Sequence, residues 1–303
     1  MREIGDIVRA FERGRGEPFA LATLVRSRGS SYRRSGARML ISRDGRTAGS
    51  LSGGCLEEEI IERAREVLRA GAPALMEFDT QRRFGCNGAI EVLVECVSDS
   101  FLAGLAGYFR ARRICLIATI FEGPSAAPGS HFVEEADAAP ENALLQRIEP
   151  PPRIIIIGNG PENAALRVFA ETLGWPALPM ESAAELQGAY DKWTAAVVKT
   201  HNYGRDFAAL RALLPLGLRY IGLIGPRKRR DQLLGDLHDT GLDAGENLFA
   251  PAGLDLGGES PECIALAIVS EIQAVFAGGS GQSLRGRKTP IHAAAGQSAA
   301  LIR

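Results

Sequence analysis

The sequence predicts an α/β protein with two domains: a mixed α/β domain at the amino terminus and a Rossmann-like domain with a doubly wound parallel sheet at the carboxyl terminus. Three observations indicate this class. Apolar runs typical of strands alternate with amphipathic helical segments along most of the chain. The strands of the second half are continuously apolar, as in a parallel sheet covered on both faces. A Gly-rich turn joins the first of those strands to a helix.

The composition is that of an ordinary globular protein. Its 303 residues suffice for two domains, since a domain usually takes about 100–200 residues. The formal net charge of −1 gives no reason to expect nucleic acid or an anionic membrane as a partner. No apolar run is long enough to span a bilayer. The five cysteines form no CxxC motif, which indicates a reducing compartment, and we expect a cytoplasmic protein.

The first domain is assigned to residues 1–122, where strand and helix signals alternate. Asp-Gly between two alternating apolar runs is a strong hairpin signal. In chain order the predicted elements are a helix at about 3–13, a strand at 19–27, a hairpin that turns at Asp44-Gly45, a helix over 55–70, strands in ALMEFDT and AIEVLVECV, a helix near 99–111 and a strand in RICLIATIF.

The remainder of the chain is assigned to a linker, a second domain and a tail. Residues 123–151 are rich in Pro, Ala, Ser and acids, which indicates a linker, although part of them also fits a hairpin arm. Residues 152–277 contain four apolar strands, each followed by a helix or loop, and form the Rossmann-like domain. Residues 278–303 are Gly/Ser-rich and basic, so we expect a flexible tail or one that docks on a neighbouring copy of the chain. Separately, we expect a homo-oligomer, a dimer, although the tail sequence alone does not decide this.

A dinucleotide fingerprint is expected directly after the first strand of the second domain. Gly158 would permit the tight turn there, and Gly160 would let the backbone approach a pyrophosphate at the helix amino terminus. Glu181 stands at about the spacing of an acid that binds a ribose hydroxyl, which favours NAD. Asn163 replaces the third glycine. Two interpretations of this turn stay open: it binds a nucleotide, or it keeps the fold and has lost the ligand.

Two further candidates follow strands at the carboxyl edge of the predicted sheet. Arg227 opens a run of four cations at a helix start, where positive charge opposes the helix dipole and suggests an anionic ligand. A solvated basic run is the commoner alternative. His201 is the candidate proton carrier or polar ligand contact, although a lone histidine is more often structural.

In the first domain, two cysteines stand in glycine-rich turns. Gly53 and Gly54 precede Cys55 at the start of a predicted helix, a pattern that suits an anion or a thiolate. Cys86 lies in a second Gly-Cys turn, which makes the signal more specific. The alternative is a tight turn with a small buried residue, because free cysteine is often buried.

An arginine-rich loop precedes the Gly-Gly-Cys turn. It includes Arg33, Arg34 and Arg38 among serines and glycines, with Tyr32 as its aromatic residue. With so little aromatic interleaving, the loop indicates a small anion rather than nucleic acid. The alternative, which the sequence supports equally, is a loop whose arginines are simply solvated.

These motifs together resemble the XdhC/CoxI family, the accessory proteins of xanthine and carbon monoxide dehydrogenases. The resemblance rests on GSLSGGCLE and GCNGAIEVLVE in the first domain and on KTHNYGRD, YIGLIGPRKRR and SLRGRKTPIH in the second domain and tail. It implies a chaperone that binds molybdenum cofactor, supports its sulfuration with a cysteine desulfurase, and delivers it to a molybdenum hydroxylase apoenzyme.

The resemblance also implies roles for particular residues. Cys55 is the first candidate to bind the molybdenum of the cofactor, and Cys86 is the second. A maturation factor without turnover is expected rather than an enzyme. Two alternatives remain: an NAD(P)-dependent oxidoreductase that uses the Rossmann-like domain, and a non-catalytic scaffold that docks the dehydrogenase and the desulfurase.

Overall fold

The computed structural model confirms the predicted fold class. It describes residues 2–29, 31–54, 56–79, 88–123, 127–135, 142–287 and 301–302. The chain divides into two units, Met1–Pro150 with Ser298–Arg303 and Pro151–Gln297. In the described ranges, no helix has both the length and the apolar character that crossing a membrane requires.

The first unit contains two antiparallel sheets. Its described strands form a five-stranded sheet in the order β3-β2-β1-β5-β4 and a four-stranded sheet in the order β14-β8-β6-β7. The helices among its described residues are α1 (Arg2–Arg13), α2 (Glu57–Ala70) and α3 (Asp99–Arg110). Its strands are β1 (Phe19–Gly29), β2 (Arg38–Ser42), β3 (Thr47–Gly49), β4 (Ala74–Asp79), β5 (Gly88–Val97), β6 (Cys115–Ile120), β7 (Gly129–Val133), β8 (Ala143–Ile148) and β14 (Leu301–Ile302).

Strand β1 lies between two hydrophobic cores, because successive side chains of a strand point to opposite faces. Ala20, Ala22 and Leu24 belong to the core that contains the apolar face of α2. Phe19 and Leu21 belong to the core that contains α1 and α3. The five-stranded sheet therefore forms the middle layer of this unit, and β1 is a continuous apolar run.

The second unit is a parallel five-stranded sheet in the order β10-β9-β11-β12-β13. Ile154, Ile155, Ile156 and Ile157 of β9 are completely buried, as expected for a central strand covered on both faces. The strands are β9 (Arg153–Ile157), β10 (Ala177–Met180), β11 (Thr194–Val198), β12 (Tyr220–Leu223) and β13 (Leu248–Phe249), and the helices are α4 (Glu162–Thr172), α5 (Tyr203–Leu213), α6 (Arg227–Asp239) and α7 (Pro261–Ala277).

The predicted linker and tail differ from expectation. Residues 129–133 and 143–148 form β7 and β8, which pair on either side of β6, so part of the Pro- and Ala-rich segment belongs to a sheet. The apolar run from Ala143 to Leu145 is buried and explains the strand. At the other end of the chain, β14 pairs with β8 instead of being free.

Candidate functional site

The loops that carry the Gly-Cys motifs connect to strands at the same end of the five-stranded sheet. Gly29 at the end of β1 pairs with Gly88 at the start of β5, and Met39 near the start of β2 pairs with Gly49 at the end of β3. The segments 30–37, 50–56 and 80–87 therefore connect to the sheet at this edge. The fold thus attaches the arginine-rich loop and both Gly-Cys segments to the same end of one sheet.

The turn before α2 is held by Ser52 and Glu57. One carboxylate oxygen of Glu57 accepts the Ser52 N–H at 2.8 Å, and the other accepts the Ser52 hydroxyl and the Leu56 N–H at 3.2 Å. The Ser52 hydroxyl also accepts the Gly54 N–H at 3.2 Å. Leu51 and Leu56 are buried on either side and anchor the turn to the core.

These hydrogen bonds decide the charge of Glu57. Partial burial acts to raise its pKa, but the bonds from Ser52 and from the main chain prevail and lower the pKa below the usual glutamate value. The Glu57 carboxylate is thus charged and accepts hydrogen bonds that hold the turn in place.

Gly53 and Gly54 leave the outer side of this turn open. Both are exposed, and no atom of the described residues, apart from each glycine and its two chain neighbours, lies within 4 Å of the position that a Cβ would take at either residue. Gly54 has φ of +110°, a conformation that favours glycine. Cys55 and Cys86 lie outside the described residues, so their assigned roles stay predictions. In the part of the chain that is described, no group of three or more His, Cys, Asp or Glu side chains could hold a metal ion.

Most arginines of the preceding loop region are paired within the unit. Arg26 donates to both oxygens of Glu91 at 3.0 and 2.9 Å, and Arg28 reaches the same carboxylate at 3.3 Å. Arg33 forms an ion pair with Glu3 of α1. Since these guanidinium groups neutralise carboxylates of the fold, each has less capacity for an external anion.

Arg38 is completely buried. Its guanidinium donates to Gln146 of β8 and, at 3.2 Å, to Thr119 of β6, so it joins the two sheets of the unit. Burial lowers its pKa, which the charges of Glu3 and Glu95 partly offset. This placement gives Arg38 a packing role, and its completely buried side chain has no exposed surface with which to bind the anion predicted for this loop.

Arg34 differs from Arg33 and Arg38 in its surroundings. Its side chain is exposed and has no partner among the described residues. Tyr32, two positions earlier, is 75% exposed. The sequence offers no signal that separates Arg34 from Arg33, because only the fold shows which guanidinium finds a carboxylate.

The Gly-rich turn of the second unit is filled by side chains of the protein. The ammonium group of Lys199, directly after β11, donates to Glu162 Oε2 and to Asn163 Oδ1, both at 2.7 Å. Asn163 in turn donates to the Gly158 carbonyl at 3.0 Å. Lys199 is completely buried, and Glu162 is 8% exposed. Asn163 thus has a structural role at the third position of the fingerprint.

Gly158 and Gly160 are both required by close contacts. Gly158 has φ of +110°, and a Cβ there would lie 2.7 Å from the Lys199 carbonyl oxygen. A Cβ at Gly160 would lie 2.6 Å from Lys199 Nζ and 2.7 Å from Glu162 Oε2. The glycines of this turn therefore accommodate the end of β11 and an internal ion pair.

Glu162 is stabilised as an anion. Desolvation acts to raise its pKa, but the hydrogen bond from Lys199, a bond from its own main-chain N–H, and the charges of Lys199 and His201 lower the pKa below the usual value. His201 itself is exposed, with φ of +56°, in the loop between β11 and α5.

The remaining candidates of this unit are exposed. Glu181 directly follows β10, and its N–H donates to Glu185 at 2.8 Å. Arg227 begins α6 and has no partner within the described ranges. By contrast, Arg229 pairs with the buried Asp206 at 3.2 Å, so part of the basic run supports the fold.

The fold defines a protein with a unit of antiparallel sheets followed by a Rossmann-like unit. Residues 13–79 match the model of the XdhC and CoxI family. Residues 154–272 match the model of the XdhC Rossmann domain. The chain belongs to the XdhC/CoxI family.

Similar proteins agree with this assignment. A Bacillus subtilis (strain 168) protein, named as a probable subunit of xanthine dehydrogenase, is 29% identical over 84% of this chain and 92% of the relative. The molybdenum cofactor insertion chaperone PaoD of Escherichia coli K12 is 24% identical, over 86% of this chain and 84% of the relative. A crystal structure of a xanthine dehydrogenase from Bacillus halodurans has the same fold, with a TM-score of 0.76 at 23% identity over 89% of this chain and 96% of that one.

Proposed function

We propose that this chain is a molybdenum-cofactor chaperone that supports cofactor sulfuration and insertion into a molybdenum hydroxylase of the xanthine dehydrogenase type. Family membership supports the proposal, as does the likeness to a relative named as a molybdenum cofactor insertion chaperone. The observation that carries it is the single sheet edge at which the open Gly53-Gly54 turn and the loop of Arg34 meet the fold.

The chemistry of the cargo suits this edge. Molybdopterin carries a terminal phosphate, for which an unpaired guanidinium and open glycine amides are good partners. It also holds a metal–dithiolene centre, to which a soft thiolate can bind. In this proposal Arg34 binds the phosphate, and the main-chain amides of Gly53 and Gly54 lie beside the bound cofactor. Cys55 binds the metal, with Cys86 as the second thiol.

The partners follow from the same proposal. A cysteine desulfurase supplies the sulfur that replaces an oxo ligand of the bound cofactor, and the apoenzyme of the hydroxylase receives the product. This chain binds and presents the cofactor, working as a homodimer without turnover of its own.

The decisive experiment measures molybdopterin in protein purified from a host that makes the cofactor. We expect Cys55→Ala to lose most of the cofactor that the wild type retains. Cys96→Ala is the matched control, because Cys96 is an exposed free cysteine of the same unit, on β5. Equal retention by Cys55→Ala and wild type would remove Cys55 from the site, and a wild type free of molybdopterin would contradict the chaperone.

The scaffold alternative is tested by the double variant Cys55→Ala/Cys86→Ala. A pure scaffold still supports maturation of the hydroxylase after both thiols are lost. A cofactor-binding chaperone does not, although it retains its complexes with both partners.

A further inference from the structure

The amino terminus of α4 is the place where a Rossmann-like fold usually binds the pyrophosphate of a dinucleotide. Here the turn before α4 contains Gly158 and Gly160, as that use requires, but a carboxylate from α4 and a buried cation from the end of β11 lie against it. The content of the turn, rather than its glycine spacing, determines what it can bind.

We infer that the Glu162 carboxylate is the built-in anion of this turn and that it excludes the pyrophosphate of a dinucleotide. Glu162 is thus the residue that determines the specificity of the Rossmann-like unit. This inference is independent of the proposed chaperone function, which concerns the other unit.

The first argument is charge. Glu162 is the first residue of α4, where a negative charge interacts favourably with the helix dipole and with free N–H groups. Lys199 is buried and already neutralised by that carboxylate. A pyrophosphate at the same helix end would place further negative charge beside a buried carboxylate, and like charges in such a site repel strongly.

The second argument is space. A Cβ built on Gly160 would lie 2.6 Å from the Lys199 ammonium nitrogen and 2.7 Å from the Glu162 carboxylate. The ion pair therefore lies directly against the glycine that would let the backbone approach a phosphate. Asn163 holds the pair from the other side, since its amide joins Lys199 to the Gly158 carbonyl.

The third argument is the state of the cation. The partners of Lys199 Nζ are Glu162 and Asn163, both at 2.7 Å. A buried ammonium group that loses its carboxylate strongly destabilises the folded protein, because its charge is no longer compensated. An external anion that binds beside it restores the charge balance and stabilises the folded state. Removing Glu162 should therefore convert a closed turn into an anion site.

The test compares wild type with Glu162→Ala and Glu162→Gln, and uses Glu246→Ala as the control because Glu246 is an exposed carboxylate of the same unit. NADH is titrated with fluorescence detection, and inorganic pyrophosphate is added during thermal unfolding against potassium chloride at equal ionic strength. For wild type and control we expect no saturable NADH binding and no specific effect of pyrophosphate. For Glu162→Ala we expect a lowered Tm that saturating pyrophosphate raises again by roughly 5 °C.

Glu162→Gln keeps the side-chain shape and carries the test if the alanine variant does not fold. Saturable NADH binding by wild type would overturn the inference. So would a pyrophosphate response in the Glu162 variants no larger than that of wild type. Cofactor retention by the Cys55 variants is a separate measurement, so the two ideas fail independently.

Discussion

Residues of one type have three different fates in the arginine-rich region. Arg33 is paired with Glu3, Arg38 is buried between two sheets, and Arg34 is exposed without a partner among the described residues. The sequence predicts an anion-binding loop but cannot distinguish these positions. The distinction depends on Glu3 and Gln146, which are distant along the chain and come close only in the fold.

Arg34→Ala and Arg38→Ala should therefore affect different properties of the protein, cofactor retention in the first case and stability in the second. Removing Arg38 takes one hydrogen-bond partner from Thr119 and one from Gln146 and empties the space of a completely buried side chain, which should lower the free energy of unfolding by about 3 kcal/mol. Removing Arg34 should change it by less than about 0.5 kcal/mol but weaken retention of molybdopterin. Thermal unfolding and cofactor content measure the two effects, and full retention by Arg34→Ala would assign the phosphate to another group.

Glu57 provides a prediction about pH. Its pKa is lowered in the folded protein, so its contribution to stability is complete above the usual glutamate pKa and is lost as the pH falls through the folded value. Glu57→Gln should lower the Tm at neutral pH, with a difference from wild type that shrinks in acid. The control is Glu58→Gln, since Glu58 is exposed. A difference that grows in acid would contradict the role of the Ser52–Glu57 bonds.

At the scale of elements, local patterns predicted most of the fold. The hairpin at Asp44-Gly45 is confirmed by the pairing of β2 with β3, and the helix predicted over 55–70 begins at Glu57. The strands β7 and β8 lie in the segment assigned to a linker, where a hairpin arm was only the alternative because Pro, Ala and acidic residues surround them. Their stability comes from pairing with β6, which is a non-local interaction that composition does not reveal.

Two glycines of the second unit should respond oppositely to alanine. At Gly158, φ is +110° and a Cβ would lie 2.7 Å from a main-chain oxygen, so Gly158→Ala should cost about 2–3 kcal/mol. At Gly235, inside α6, the space is open, and Gly235→Ala should add up to about 1 kcal/mol from helix propensity. Calorimetric Tm values measure both, and a neutral Gly158→Ala would mean that the turn can rearrange.

At the scale of the whole molecule, the class of fold and the family were predictable, whereas the content of each site was only partly so. The glycine spacing predicted a dinucleotide turn. The Lys199–Glu162 pair that fills it joins residues 37 positions apart, which no local pattern connects. The Gly-Cys motifs were recognisable locally, but their attachment to one sheet edge follows from the strand order.

The end of the chain provides the last prediction. Leu301 and Ile302 pair with Leu145 and Leu144 of β8, so residues 298–303 belong to the first unit although they follow the second in sequence. Deleting 298–303 should leave one side of β8 unpaired and increase the amide exchange of Leu145, because alternate residues of a strand hydrogen-bond to opposite neighbours and the main-chain groups of Leu144 face Thr119 of β6. Hydrogen exchange measures this locally, and a strand of the second unit such as β11 is the internal control. Unchanged exchange in both places would mean that β14 contributes nothing to the sheet. A rise at both would indicate global destabilisation instead of the loss of one strand.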